Sequence, residues 1–502
     1  MQNINWLELK SGTDIRGFAI ETEGCKIQLT DTVVEQIAKA FYVFLLQNLK
    51  KDSIHIAVGV DSRLSANRLA NAVLKGLQSS GANVYYTGLS STPAMFMILQ
   101  DKNYTIDASI MITASHMPYH YNGLKFFLKT GGLSGKEITT ILQLAQAGKF
   151  CIGNGQYSEL NYMDSYAEHL VKFVQNKTGE KQPLRGKKVI VDAGNGAGGF
   201  YAKKVLLPLG ANIEGSQFLE PDGNFPNHMP DPENKQAIAS LSTAVLANKA
   251  DFGIIFDTDV DRAGAVDENG KLINKNRLIA LLAAILLREQ SGATIVTDSL
   301  TSDGLPKFIA KLGGRHRRFK RGYKNVIDEA VRLNQEGVYA PLAIETSGHA
   351  ALKENYFLDD GAYVVTRLLI QLVEYAKENR SLLSLIDSLE EAVEDGGCNL
   401  AFKENGDIST MCQHFFTYIT THLSDTEGVT LAAENYEDGV RLQFDEKHGN
   451  GWVVCRQSLH EPLVVFNYES STHGGGKIIV NFLIHLLASY EKIDCTPLKK
   501  FL

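Results

Sequence analysis

Several features that mark other classes of protein are missing from this 502-residue chain. Its six cysteines (Cys25, Cys151, Cys398, Cys412, Cys455 and Cys495) form no CxxC pair and no zinc-type spacing. That excludes a cysteine-built metal site and fits free thiols in a reducing compartment. A basic excess is absent too: 50 Lys and Arg stand against 57 Asp and Glu, for a formal net charge of −7. This balance argues against broad nucleic-acid binding, although it leaves room for a local basic site. No apolar run approaches the ~20 residues that span a bilayer; the longest covers residues 278–287 and stops at Arg288. The opening MQNINWLELK has no charged-then-apolar leader pattern. The expectation is a soluble cytoplasmic protein without nucleic-acid or membrane partners.

What remains is ordinary for a globular chain, 44% hydrophobic and 21% charged, which excludes extended disorder. Its length exceeds what one core organises and implies three or four domains. A weak internal repeat supports this. One copy starts at Ile56 (IAVGVDSRLSANRLANAVLKGLQSSGANVYYTG), a second at Val189 (VIVDAGNGAGGFYAKKVLLPLGANIEG) and a third at Ala293 (ATIVTDSLTSDGLPKFIAKLGGRHRRF). In each an apolar strand ends at an aspartate (Asp61, Asp192, Asp298), and a polar turn and an amphipathic helix follow. The helix stops at a glycine (Gly81, Gly210, Gly313) before another strand. Strand–helix–strand repeated this way predicts parallel pairing and three related α/β domains. Further helices are expected over 162–175 and 275–289. Near Asp395 the pattern ceases, and helices over 409–423 and 477–489 mixed with strands predict a fourth, α+β domain.

Four loops carry chemistry. The first, Thr113 to Pro118, follows an apolar run that reads as a buried strand. It holds the hydroxyl of Ser115 on a turn beside His116, and Pro118 stops a helix from starting. Asn122 and Gly123 are expected to make a tight turn that brings Lys125 back nearby. The second loop, Asp257-Thr258-Asp259-Val260-Asp261-Arg262, follows the apolar residues 252–256. Carboxylates at alternating positions can converge on one hard divalent cation, and Arg262 can balance a phosphate. A calcium loop of the EF-hand type, with Glu268 at its twelfth position, is the rival reading, but Arg262 stands where that loop needs glycine. In the third loop, Glu345 to His349, Glu345 can accept hydrogen bonds from sugar hydroxyls and His349 can exchange a proton. The fourth, Arg456 to Pro462, offers an arginine fork and hydroxyl donors to a phosphate. Two weaker features accompany them. Residues 315–321 form a basic run better explained by an anion-attracting wall than by nucleic-acid binding. Gly474 to Gly476 could serve as an anion site at a helix start or as a simple turn.

At these loops together the sequence resembles the α-D-phosphohexomutase family. The family's TASHNP-type serine loop is matched by residues 113–118, with Met117 in place of Asn. Its DGDxDR metal loop is matched by residues 257–262, with Thr258 in place of Gly. Residues 344–349 match GExSGH with Ile344 for Gly, and residues 456–462 match RxSxTEP with His460 for Thr. Ser11 to Gly17 resembles the family's FGTDGIRG opening, one glycine short.

The resemblance implies an α/β protein of four domains around a central cleft: three related α/β domains with mixed sheets and a C-terminal α+β domain. The expected bounds are 1–155 for the phosphoserine loop, 156–272 for the metal loop, 273–392 for the sugar loop and 393–502 for the phosphate loop. It implies an isomerase that interconverts hexose 1-phosphate and hexose 6-phosphate, of glucose and/or mannose. The route runs through a phosphoserine enzyme and a hexose 1,6-bisphosphate, with phosphoglucosamine mutase as the alternative. Ser115 would carry the phosphoryl group, and with Asp257, Asp259 and Asp261 it would hold one Mg²⁺ per chain. Arg16, His116 and Lys125 match positions beside the transferring phosphate, and Lys125 and His349 are the candidates for proton exchange. Arg262, Glu345, Ser347 and His349 would bind substrate. Gly322, Tyr323 and Lys324 resemble the loop that chooses between glucose and mannose orientations. Arg456, Ser458 and His460 would hold the phosphate that is not reacting. The expected partners are small sugar phosphates, with the chain a monomer or homodimer. A non-catalytic sugar-phosphate binder is disfavoured because the serine and all three aspartates are present. A phosphatase would leave Glu345 without a task.

Overall fold

Strands that are apolar at nearly every position belong inside a sheet covered on both faces. In the computed structural model, which describes residues 4–273, 275–423, 426–432, 438–458 and 462–502, the strand Ala108–Ile112 is buried throughout. It pairs in parallel with His55–Val60 and antiparallel with Tyr121–Leu128. Asp14–Phe18 joins the far side of Tyr121–Leu128, and Asn83–Leu89 the far side of His55–Val60, giving a mixed sheet. The amphipathic helices Asp31–Leu49, Ala66–Ser80 and Gly135–Ala147 bury their apolar faces in one core with it.

Asn122 and Gly123 do not form the expected turn; both lie inside the strand Tyr121–Leu128. The chain reverses earlier, where Tyr121 N donates to Pro118 O at 3.0 Å. Asn122 is buried, and its amide donates to Ser65 Oγ at 2.9 Å. Gly123 is required by close approach: a Cβ there would meet Ile15 O at 2.5 Å and Thr113 O at 2.7 Å. An Asn-Gly hairpin turn needs positive φ at both residues, and neither Asn122 nor Gly123 takes it.

The second sheet runs Leu272–Ile273, Ala263–Asp267, Phe252–Phe256, Val189–Asp192 and is parallel only between the last two. In a third, Thr294–Thr297 pairs in parallel with both Arg315–Arg318 and Leu342–Ile344. The C-terminal sheet, Glu394–Ala401, Leu463–Ser470, Gly451–Gln457, Val440–Phe444, Val429–Leu431, is antiparallel throughout. Three α/β sheets and an antiparallel C-terminal one are the expected fold class. The chain forms two compact units, Met1–Asn274 with Ser347–Ser384, and Lys275–Thr346 with Leu385–Leu502.

All three repeat glycines take the left-handed conformation, with φ of 108° at Gly81, 90° at Gly210 and 78° at Gly313. The second copy is nevertheless eroded. Its glycine-rich start disfavours helix, so only the wide-turn helix Tyr201–Leu206 forms. The strand after it shrinks to the parallel bridges Lys188↔Asn212 and Asp192↔Gln217. The other expected helices are Met163–Thr178, Asn276–Glu289, Ile408–His422 and Gly475–Leu486. Residues 278–287 are buried along the whole run, which makes it a core helix. Among the described residues no helix is long and apolar enough to cross a membrane, and all six cysteines are free.

Candidate active site

Ser115 follows Ala108–Ile112 on a loop whose backbone takes φ +52° at the serine itself. A non-glycine residue there is strained, and local bonds hold it. Ser115 N donates to Thr113 Oγ1 at 2.9 Å, and Met117 N to Ala114 O at 3.1 Å. The result is a buried hydroxyl whose Oγ donates to Asp257 Oδ2 at 2.9 Å and lies 3.4 Å from His116 Nδ1. Arg16 reaches the same loop, its Nη1 3.4 Å from Ala114 O, and pairs with Asp14 at 2.8 Å.

The three aspartates sit between the antiparallel strands Phe252–Phe256 and Ala263–Asp267, not between helices, and Glu268 follows the second strand; the EF-hand reading fails on that geometry. Val260, at φ +70°, turns the loop, and the three carboxylates each offer an oxygen within 4.8 Å of the others. All three are buried. Among the described residues, Asp259 Oδ1 and Asp261 Oδ1 have no hydrogen-bond partner. Buried carboxylate oxygens without partners are costly, and a hard divalent cation supplies what they lack. The donor set, oxygen only and next to Ser115 Oγ, fits such an ion.

Charge around this group is dense. Lys125 Nζ bonds Asp259 Oδ2 at 2.9 Å and also Asp261 Oδ2. Burial opposes its charge, yet the Asp259, Asp261 and Asp14 carboxylates hold its ammonium well above the ordinary lysine range. Burial, with repulsion from Asp261 and Asp259, pushes the Asp257 carboxyl up. His116 moves the other way, down to about 2, chiefly through burial and then through the Arg262 and Arg16 guanidinium groups. Burial and these neighbouring cations favour its neutral imidazole. Arg262 bonds Asp257 Oδ2 through Nε at 3.2 Å and pairs with Asp231 at 3.3 Å, while its Nη2 is buried and, among the described residues, without a hydrogen bond. His349 is brought in by a backbone bridge to Arg262. Its Nε2 lies 3.9 Å from Asp261 and 3.7 Å from Asp359, and Ser347 Oγ is 3.0 Å from its Nδ1. Thus Arg16, Ser115, His116, Lys125, the three aspartates, Arg262, Ser347 and His349 fall in one compact unit.

The remaining expected residues fall in the other unit. Glu345 ends the strand Leu342–Ile344, is buried, and accepts from Gly322 N at 2.6 Å. Burial pushes its carboxyl up to about 7, against the pull of the Arg321 guanidinium. Tyr323 opens the helix Tyr323–Gln335, where Lys324 pairs with Asp328. Arg456 is buried near the end of Gly451–Gln457, and Ser458 N donates to Leu463 O at 3.0 Å. His460 lies outside the described residues. The basic run is used internally: Arg317 pairs with Glu329, and Arg318 bonds Thr301 O, Ser302 O and Asp303. At Gly474–Gly476 the free amides meet the chain's own Glu394, with N···O distances of 2.6 and 2.9 Å.

Sequence reasoning missed Thr92, whose hydroxyl and backbone N both bond Asp259, at 2.5 and 2.8 Å. It also missed Asp438, which accepts from Ser299 Oγ at 2.6 Å and Arg321 N at 3.0 Å, because nothing local marks that partnership.

Comparison with known proteins places the chain by family and fold. Residues 8–150, 164–270 and 274–392 match the phosphoglucomutase/phosphomannomutase alpha/beta/alpha domains I, II and III. The phosphomannomutase/phosphoglucomutase of Pseudomonas putida is 30% identical over 430 residues, 85% of this chain and 86% of that protein. The phosphoglucomutase of Neisseria gonorrhoeae is 30% identical over 471 residues, covering 93% of this chain and 94% of its own. A crystal structure of a phosphoglucomutase/phosphomannomutase family protein from Burkholderia thailandensis matches with a TM-score of 0.79 at 28% identity. That match spans 97% of this chain and 98% of the other.

Proposed function

The chain belongs to the phosphoglucomutase/phosphomannomutase family, and on that premise we propose that it moves a phosphoryl group between the 1- and 6-hydroxyls of glucose and mannose phosphates. The observation that carries the reading is the buried Ser115 hydroxyl, 2.9 Å from Asp257, beside two unpartnered aspartate oxygens. In the resting state Ser115 carries the phosphoryl group. The free hydroxyl of a hexose 1-phosphate attacks it, so the bond to Ser115 Oγ breaks as a bond to the sugar oxygen forms. His349 is the proposed acceptor of the hydroxyl proton, and Lys125, held as an ammonium by Asp259 and Asp261, is the proposed proton donor. The resulting hexose 1,6-bisphosphate then returns its other phosphoryl group to Ser115, which restores the enzyme.

Asp257, Asp259, Asp261 and the Ser115 oxygen would hold one Mg²⁺, which when bound neutralises charge on the transferring group. Neutral His116 and the Arg16 and Arg262 guanidinium groups orient that group without protonating it. Glu345 and Ser347 bind sugar hydroxyls. Arg456, Ser458 and His460 bind the resting phosphate, and residues 322–324 read the sugar's orientation. The test is a substrate panel: glucose, mannose and glucosamine 1-phosphates, each primed with its 1,6-bisphosphate, with Mg²⁺ present. Turnover of the glucose and mannose esters supports the proposal. Preference for the glucosamine ester replaces its substrate, and free phosphate without isomerisation replaces it with a phosphatase.

A further inference from the structure

We infer that Arg63 is the positioning residue of the phosphorylated loop: one buried guanidinium gathers four backbone carbonyls around Ser115 and fixes where its Oγ sits. Arg63 follows the strand His55–Val60 and stands 52 residues before Ser115. Its Nη2 donates to Ser115 O at 2.5 Å and Met117 O at 2.6 Å, and its Nη1 to Pro118 O at 2.8 Å and Tyr121 O at 3.0 Å. The fifth donor, Nε, bonds Asp61 Oδ2 at 3.2 Å, while Asp61 Oδ1 accepts from Arg63 N at 2.9 Å. A guanidinium has five N–H donors in a fixed fork, and every one has a partner here.

The arrangement does more than bury a charge. Both side chains of the Asp61–Arg63 pair are fully out of solvent, and the Phe225 ring lies 5.4 Å from the guanidinium carbon. The loop's own bonds are local, from Thr113 to Tyr121; from outside, Arg16 Nη1 lies 3.4 Å from Ala114 O, Ser115 Oγ donates to Asp257 Oδ2, and Ala19 N and Ile20 N donate to His120 O. The carbonyl of the strained serine is therefore tied, through Arg63, to the end of a central strand. A nucleophile that must alternate as phosphoryl acceptor and donor needs one fixed position, and a displacement of ~1 Å costs about 100-fold in rate. Lysine supplies three donors from a point and cannot reproduce the fork.

This inference rests on the mutase reading, so wild type runs beside Arg63→Lys, Arg63→Ala and Asp61→Asn, each checked for folding by thermal melting. Arg63→Lys is expected to stay folded with kcat down about 100-fold and KM for glucose 1-phosphate near that of wild type. Added guanidinium is expected to restore part of the kcat of Arg63→Ala, and an alkylammonium ion is not. If Arg63→Ala does not fold, the kcat–KM split of Arg63→Lys decides. Folded variants with wild-type kcat overturn the role of Arg63 alone. Wild type that fails to isomerise any hexose phosphate overturns the mutase reading, and this inference with it.

Discussion

Buried charge dominates the site at the scale of single residues, and its titration sets observable consequences. Glu345 is protonated below about 7, and only its carboxylate accepts two hydrogen bonds from sugar hydroxyls. The kcat/KM for hexose phosphate is therefore expected to rise with pH along a limb centred near 7, and Glu345→Gln to flatten that limb. At alkaline pH the variant is expected to lose about 2 kcal/mol of transition-state binding. Stability runs the other way. Between the ordinary value of 4.5 and about 7 the folded chain holds a proton that the unfolded chain has released, so Glu345 lowers stability as pH rises through that window. Glu345→Gln is expected to melt above wild type at neutral pH. A melt unchanged by the substitution at every pH contradicts the assignment. At the metal loop, Thr92→Val removes the hydroxyl that fixes Asp259 and is expected to weaken Mg²⁺ binding about 10-fold, as read by calorimetry.

Elements place these residues by close backbone approach. Gly123 lies where Asp14–Phe18, Tyr121–Leu128 and the serine loop converge, and its absent Cβ leaves room for Ile15 O and Thr113 O. Gly123→Ala is expected to cost about 1–3 kcal/mol in denaturant unfolding, with loss of activity exceeding loss of stability. How much of this was readable varies by element. Runs such as residues 108–112 and 252–256, followed by polar loops, located the serine and the aspartates because burial and loop chemistry are local properties. The three helix-ending glycines were legible for the same reason. The Asn122–Gly123 pair was misread because its hairpin signal depends on a positive-φ backbone, which pairing inside the sheet excludes here. Arg63 was missed because the carbonyls it gathers are recruited from more than 50 residues away, and a backbone acceptor leaves no mark in a side-chain sequence.

At the scale of the molecule, long-range ties of this kind hold the C-terminal sheet to its own unit. Arg441 is buried, bonds Ser299 O at 3.1 Å, Thr301 O at 3.3 Å and Asp303 Oδ1 at 2.8 Å, and lies 4.1 Å from the Trp452 ring. Arg441→Ala is expected to destabilise that unit by about 3 kcal/mol, seen as a lowered melting transition, while Ser115 still accepts phosphate. The basic run 315–321, unusual in a chain of net charge −7, is largely accounted for within the same unit by Arg317, Arg318 and Arg321.

The central claim is that the Ser115 oxygen carries the phosphoryl group that the sugar receives. The most direct measurement is single-turnover transfer from isolated, ³²P-labelled phosphoenzyme to excess glucose 1-phosphate with Mg²⁺, following label in protein and sugar together. Label is expected to leave Ser115 and appear in glucose 1,6-bisphosphate and then glucose 6-phosphate, with Ser115→Ala taking up none. Label released as free phosphate, or isomerisation that proceeds undiminished in Ser115→Ala, would contradict it.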